Sequence, residues 1–338
     1  MDNMMNLLHS PWLGTALWLW LVFAAVVLTL LALDLGLLNR GDREIGVKRS
    51  LVLSAGYISV ALLFGLWVWW MLGAQSATEY ITGFLIEKSL SLDNVFVIAL
   101  IFSTLGIPRQ YQHRVLFWGI LGVIVLRALM IGLGAALIHE FAGILYVFGA
   151  FLVFTGVRMW MAADHEPDMN DSVLLKFLRK HLRITPQLEG NAFVVTRPDP
   201  ATGAPVRWFT PLFIALCMVE LIDLVFAVDS VPAIFAITDN PFIVYTSNIF
   251  AILGLRALYF ALAAMIHRFA YLKYALALIL VFIGSKIFLV NIIGKIPPAL
   301  SLSVTAALLI GGIVVSLWKT RGSMPEPSGE SPATPVQG

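Results

Sequence analysis

Nine stretches of about 20 or more mostly apolar residues run along this chain. In a bilayer only a helix satisfies every backbone N–H and C=O within one such stretch. They fall at 14–38, 51–73, 79–105, 115–138, 141–163, 210–237, 242–266, 271–293 and 297–318. Of 338 residues, 59% are hydrophobic and 12% charged, about half the charged share of a soluble domain. The first stretch is far longer than the apolar core of a cleaved leader, about 7–15 residues, so it is expected to stay as a membrane helix. The reading is an all-α polytopic membrane protein with nine transmembrane helices.

Basic residues set its orientation. Arg40, Arg43, Lys48 and Arg49 fall in the first loop, Arg109 and Arg114 in the third, and Lys176, Arg179, Lys180, Arg183, Arg197 and Arg207 in the fifth. The seventh loop has Arg268 and Lys273, and the C-terminus Lys319 and Arg321, whereas even-numbered loops carry only Lys295. That alternation predicts the N-terminus outside and the C-terminus in the cytoplasm of a cell (inner) membrane. The net charge of +2 is mostly this bias, and nucleic acid is not implied. A single cysteine, Cys217, excludes an intramolecular disulfide and reads as a small buried hydrophobe.

An internal repeat organises the middle of the chain. Leu152-Val-Phe-Thr-Gly156-Val-Arg158 matches Leu280-Val-Phe-Ile-Gly284-Ser-Lys286, Ile138-His-Glu-Phe-Ala142 matches Ile266-His-Arg-Phe-Ala270, and Leu126-Arg127-Ala-Leu matches Leu255-Arg256-Ala-Leu. Each unit holds three spans, 79–163 and 210–293, so the second must enter the membrane from the opposite side. That is the inverted-repeat plan of many transporters, which place substrate near the midplane between the halves. The expected organisation is a two-helix extension at 1–78, the two repeats, a linker at 164–209, a ninth helix at 294–320 and a disordered tail at 321–338. Within the linker, Val173, Leu174, Phe177, Leu178 and Leu182 form an apolar stripe on a short surface helix. Ala192–Thr196 and Val206–Phe209 flank a Pro/Gly-rich turn and predict a hairpin.

Both repeats open on acids. Glu87-Lys-Ser-Leu-Ser-Leu-Asp93-Asn94 and Asp223-Leu-Val-Phe-Ala-Val-Asp229-Ser230 each set two carboxylates six residues apart in an apolar run. A carboxylate at bilayer depth costs roughly 2.5–3.5 kcal/mol on insertion scales, so such residues read as functional by default. With the Asn94 amide, the Ser230 hydroxyl and freed carbonyls such as that of Val228, they form a hard oxygen set suited to magnesium, calcium or manganese. The histidines fall in loops, tails or span ends, so a zinc or copper site is not supported. On an ideal helix Asp223 and Asp229 point about 120° apart and sit about 9 Å apart along the axis. Pro232, which cannot donate to the Val228 carbonyl, predicts a kink or break beside Asp229.

Other polar residues have two readings. Arg127 and Arg256 are either counter-ions to the acids or a moving gate. Asp34 is either an interfacial residue or part of the pathway. Glu220 shares a helix face with Asp223 and would be a ligand or a proton acceptor. Asn248 would be a site residue or interhelical glue.

The chain resembles the TerC/Alx family of integral membrane proteins over about 30–320. The resemblance rests on Glu87-Lys-Ser-Leu-Ser-Leu-Asp93-Asn94-Val-Phe, on Glu220-Leu-Ile-Asp223-Leu-Val-Phe-Ala-Val-Asp229-Ser230-Val-Pro232, and on Thr246-Ser-Asn248-Ile-Phe-Ala-Ile-Leu-Gly-Leu-Arg256-Ala-Leu-Tyr. It implies metal binding at Glu87, Asp93, Asn94, Glu220, Asp223, Asp229 and Ser230, and associates the chain with manganese export, alkaline response and tellurite resistance. The expected function is export of manganese or a similar divalent cation from the cytoplasm, in exchange for protons, with no permanent cofactor and no enzymatic activity. The alternative is a membrane scaffold or stress-response partner linked to redox or tellurite defence. Choice of ion, exchange versus passive flow, and monomer versus homo-oligomer stay open at this level.

Overall fold

The computed structural model describes residues 8–34, 46–141, 143–161, 173–198, 203–263, 271–293 and 297–320. Two-residue strands β1 (Pro11–Trp12) and β2 (Thr15–Ala16) lead into helix α1 (Leu17–Leu33). The order continues α2 (Val47–Thr104), α3 (Arg109–Glu140), α4 (Ile144–Met161), α5 (Val173–His181), β3 (Val194–Pro198), β4 (Pro205–Phe209), α6 (Pro211–Phe235), α7 (Pro241–Ala263), α8 (Leu272–Ile293) and α9 (Pro298–Lys319). Among the described residues, seven helices are long and apolar enough to cross a membrane, and the apolar α1 has 17 residues. The C-terminal tail from 321 and the repeat residues 266–270 lie outside the described residues.

The element α2 is a helical hairpin. Tyr80 donates its hydroxyl to the Ala61 carbonyl, 3.0 Å away, although a straight helix would separate two residues 19 apart by about 28 Å. The chain reverses at Gly73, whose φ of 88° and ψ of 173° lie where a side chain is disfavoured. The separate spans expected at 51–73 and 79–105 are therefore two arms of one element with no loop between them. One arm runs from Val47 to Leu72 (α2a) and the other from Ala74 to Thr104 (α2b).

Helix α7 is the centre of the bundle, buried from Phe242 through Ala261 on nearly every side. Its N-terminal half packs Phe242 and Phe250 against Trp20 and Phe23 of α1, Phe64 of α2a and Tyr80 of α2b, with ring centroids 4.8–6.5 Å apart. The chief helix contacts pair α2 with α7, α3 with α6, and α4 with α8. Side chains such as Phe154 and Trp160 on α4 or Val314 and Trp318 on α9 point outward, as expected of surfaces facing lipid.

Glycines set the closest approach. A Cβ on Gly156 of α4 would stand 2.7 Å from the Ala277 carbonyl oxygen of α8, and one on Gly149 would stand 3.1 Å from that of Gly284. In the sequence repeat Gly156 aligns with Gly284 and Gly149 with Ala277, so the two contacts are each other's counterparts.

Between α4 and α6 the linker holds a hairpin and the short helix α5. The hairpin pairs Val194 with Phe209 through Pro198 with Pro205. In α5 the residue facing the protein is Leu175, with Leu178 and Leu182 partly covered beside it, while Phe177 is exposed. The side chains of Val173 and Leu174 are outside the description.

The expected break beside Asp229 is corrected as well, because α6 runs as one helix through Pro232. Proline removes one N–H, and Val231–Phe235 around it are all buried, so packing holds the turn.

These contacts generate a stability prediction. Gly156→Leu forces α4 from α8 and should destabilise by about 1–3 kcal/mol, lowering the unfolding temperature in detergent. Gly132→Ala, where nothing lies within 4 Å of a new Cβ, should not lower it. Equal behaviour of the two variants would defeat the close-packing account.

Candidate ion site

Four helices bring Glu87 and Asp223 into one polar cluster: α2b supplies Glu87, Ser91 and Asn94, α3 Arg127, α6 Asp223 and Ser230, and α7 Asn248. The leading acids of the two pairs, Glu87 and Asp223, end in different environments.

Glu87 is saturated. Arg127 forks onto its carboxylate, with Nη2 2.9 Å from Oε1 and Nη1 3.3 Å from Oε2. Asn248 donates to Oε2 at 3.1 Å and Ser91 to Oε1 at 3.3 Å. Arg127 also donates to the Ser230 hydroxyl at 2.6 Å. Both charged residues are 1% exposed, so neither could keep its charge at this depth without the other.

Asp223 is lightly held. Among the described residues its hydrogen bond comes from Asn94, whose Nδ2 lies 3.2 Å from Oδ1. It lines a cavity of about 30 Å³ with Gly119, Val123, Val219, Arg256 and Tyr259, space enough for one water molecule. Glu220, one turn earlier, lies against α3, where its carboxylate occupies the space that a side chain at Gly122 would fill. Three buried oxygens, Asn94 Oδ1, Asn248 Oδ1 and Glu220 Oε2, meet no donor among the described residues. Unmet buried acceptors are what a hard cation or its water would satisfy.

Several expected site residues stand elsewhere. Asp229 turns toward α4 and accepts a hydrogen bond from Thr155 at 3.2 Å. Its angular separation from Asp223 follows from the unbroken helix. Val228 is exposed on α6. The Asp93 side chain lies outside the described residues. Among the described residues, no three of His, Cys, Asp and Glu converge closely enough to hold a metal. Among the described residues, a cation here would meet two carboxylates at most, with amide, carbonyl and water oxygens beside them, a set that manganese and magnesium accept.

Arg256 is far from idle. It is ion-paired with the buried Asp34 at the end of α1, contacts the His113 ring and lies 4.9 Å over the Phe117 ring. Neither His113 nor Thr155 stood out in the sequence. A histidine in the second turn of a helix that begins with Arg109 looks interfacial until α7 is laid across it.

A family model, "Integral membrane protein TerC family", matches residues 72–324. The chain belongs to the TerC family. Among relatives, an "Uncharacterized membrane protein" of Rickettsia felis is 50% identical over 298 residues, 88% of this chain and 97% of that protein. Another, from Myxococcus xanthus, is 47% identical over 303 residues, 90% of this chain and 93% of its own. The Escherichia coli K12 protein named "Putative membrane-bound redox modulator Alx" is 46% identical over 314 residues, 90% of this chain and 95% of its own. No solved structure matches. Family membership agrees with the resemblance carried by the acidic segments.

Replacing Arg127 by Gln should strand the Glu87 carboxylate and cost about 3–5 kcal/mol, seen as a lower unfolding temperature. Adding Glu87→Gln should recover most of the loss. If Arg127→Gln leaves the unfolding temperature unchanged, the pair is not the brace described.

Proposed function

We propose that the protein exports a hard divalent cation, manganese foremost, from the cytoplasm across the cell (inner) membrane in exchange for protons. The observation that carries this reading is the lightly held Asp223, beside a small cavity and a set of buried oxygens without donors. A carboxylate at that depth that shares a nearby guanidinium with another acid, and makes no direct ion pair among the described residues, is completed by a bound cation, a proton or water.

In this reading Asp223, Asn94 and Glu220 form the first station, with water completing the shell. Glu87 stays with Arg127 and braces the site, and Asn248 offers its free oxygen alongside. Asp229, with Ser230 before Pro232 and the Val228 carbonyl that Pro232 cannot bond, forms a second station about 9 Å further along α6. Asp93 is its counterpart on α2b. A bound dication favours ionised carboxylates, which take up protons once it leaves, so cation and proton flows are linked.

Nine spans and an inverted repeat belong to the same proposal. The two arms of α2 and the 17-residue α1, added to the remaining apolar helices, supply nine crossings. The counterpart contacts between α4 and α8 support a two-fold relation, because such an axis makes each contact imply its mirror in the other unit. The basic residues assign the N-terminus to the outside and the end carrying Arg109 and Arg114 to the cytoplasm. These features fit the midplane site of inverted-repeat transporters.

The name of the Escherichia coli relative suggests a second reading, a redox modulator. One cysteine, the half-buried Cys217, gives a single chain no dithiol cycle. That reading would need a partner thiol or a second copy.

Manganese uptake by inside-out vesicles tests the proposal. Asp223→Asn and Glu220→Gln should each lower the uptake rate by about tenfold or more, a loss of at least ~1.4 kcal/mol. Cys217→Ser should leave it unaltered. Full uptake in both acid variants rejects the site, and loss on Cys217→Ser would favour the thiol reading.

A further inference from the structure

Arg127 and Arg256 occupy matching places in the two repeats, yet they hold different partners. Arg127 grips Glu87, the leading member of its unit's acidic pair. By the same register Arg256 would reach Asp223, but it is ion-paired with Asp34. Asp34 belongs to α1, outside both repeats.

The surroundings differ in step. Register places Gly119 where the other unit has Asn248. Asn248 fills the space beside Glu87 with an amide, whereas Gly119 has no side chain to offer and the cavity beside Asp223 remains. Arg256 and Asp223 both line that cavity. On its other side Arg256 lines a second cavity of about 10 Å³, with Asp34, Tyr57 and His113.

Arg256 also ties the bundle together at this end. Through Asp34 and His113 it joins α7 to the end of α1 and the second turn of α3. Three residues along α7, Tyr259 donates to Gln112 Oε1 at 3.2 Å, next to His113. The clasp lies between the cavity at Asp223 and the end of α3 that carries Arg109.

We propose that Arg256 is a two-position switch. In one position it locks α1, α3 and α7 through Asp34 and His113. In the other it turns through the shared cavity onto Asp223, as Arg127 does onto Glu87, and releases that lock. A cation on Asp223 competes with the guanidinium for one carboxylate, so its arrival returns Arg256 to Asp34 and His113 and closes the route behind it. The link to the cation rests on the transport reading above; the lock itself does not.

Two measurements on the full-length chain carrying Cys217→Ser decide the matter. A cysteine at Val219, which lines the larger cavity, is reacted with a small uncharged thiol reagent applied to inside-out vesicles. Asp34→Asn should raise the labelling rate about tenfold, and His113→Ala, which strands no buried carboxylate, repeats the test if the first variant folds poorly. Unchanged labelling in both overturns the lock. The second measurement is manganese binding to purified protein. Asp34→Asn should weaken it about tenfold by sending Arg256 to Asp223, and adding Arg256→Gln should restore it to within about threefold. A merely structural ion pair gives no such rescue, so an unrescued loss, or no loss, overturns the switch. Absence of manganese binding in the parent chain counts against the transport reading, while the labelling result still judges the lock.

Discussion

A carboxylate cannot stay ionised in the interior of a membrane protein without a partner, and the arrangement of the central helices follows from how each acid meets that requirement. Glu87 meets it with a forked arginine and two neutral donors. This binds α2b, α3 and α7 at one point, and Ser230 extends the brace to α6. Asp223 meets it only in part, through one amide and a cavity. The same cost therefore produces rigidity on one side of the site and chemical opportunity on the other.

That division arises from small residues as much as from charged ones. Gly149, Gly156 and Gly284 let α4 and α8 approach to backbone contact, fixing one side of the bundle. Gly122 admits the Glu220 carboxylate, and Gly119 leaves the space beside Asp223. In lipid, where burial of apolar surface does little to hold helices together, such close packing and polar contacts take over. Polar pairs at the two arginines then distinguish units that are alike in sequence. One arginine braces its own acid, and the other is drawn away by a residue outside the repeat.

Much of this could be read along the chain. Apolar runs long enough to span a bilayer, the acidic pairs and the family resemblance pointed to an all-helical membrane protein of the TerC family. Helical geometry also anticipated that Asp223 and Asp229 face different ways. The remedy read from Pro232 went astray because a proline deletes one hydrogen bond but does not set how the surrounding side chains pack. A reversal between 73 and 79 was legible, but that α2 makes it at Gly73 with no loop was hidden, since the mostly polar stretch Gln75–Glu79 reads as a loop and a glycine carries no mark of the φ it will adopt. His113 escaped notice because its partner lies 143 residues away.

Sequence by itself determined which segments are apolar enough to enter lipid and which acids must be accommodated there, because transfer cost depends on residue type and on the length of each run. Tertiary structure alone decided which acid is neutralised and which is left available. Pairing is a matter of ångströms between side chains on different helices, and two like segments acquire unlike partners when α1, α3 and α7 cross them. Local composition contains no record of that crossing. The contrast between a braced Glu87 and a lightly held Asp223 is therefore a property of the assembled bundle.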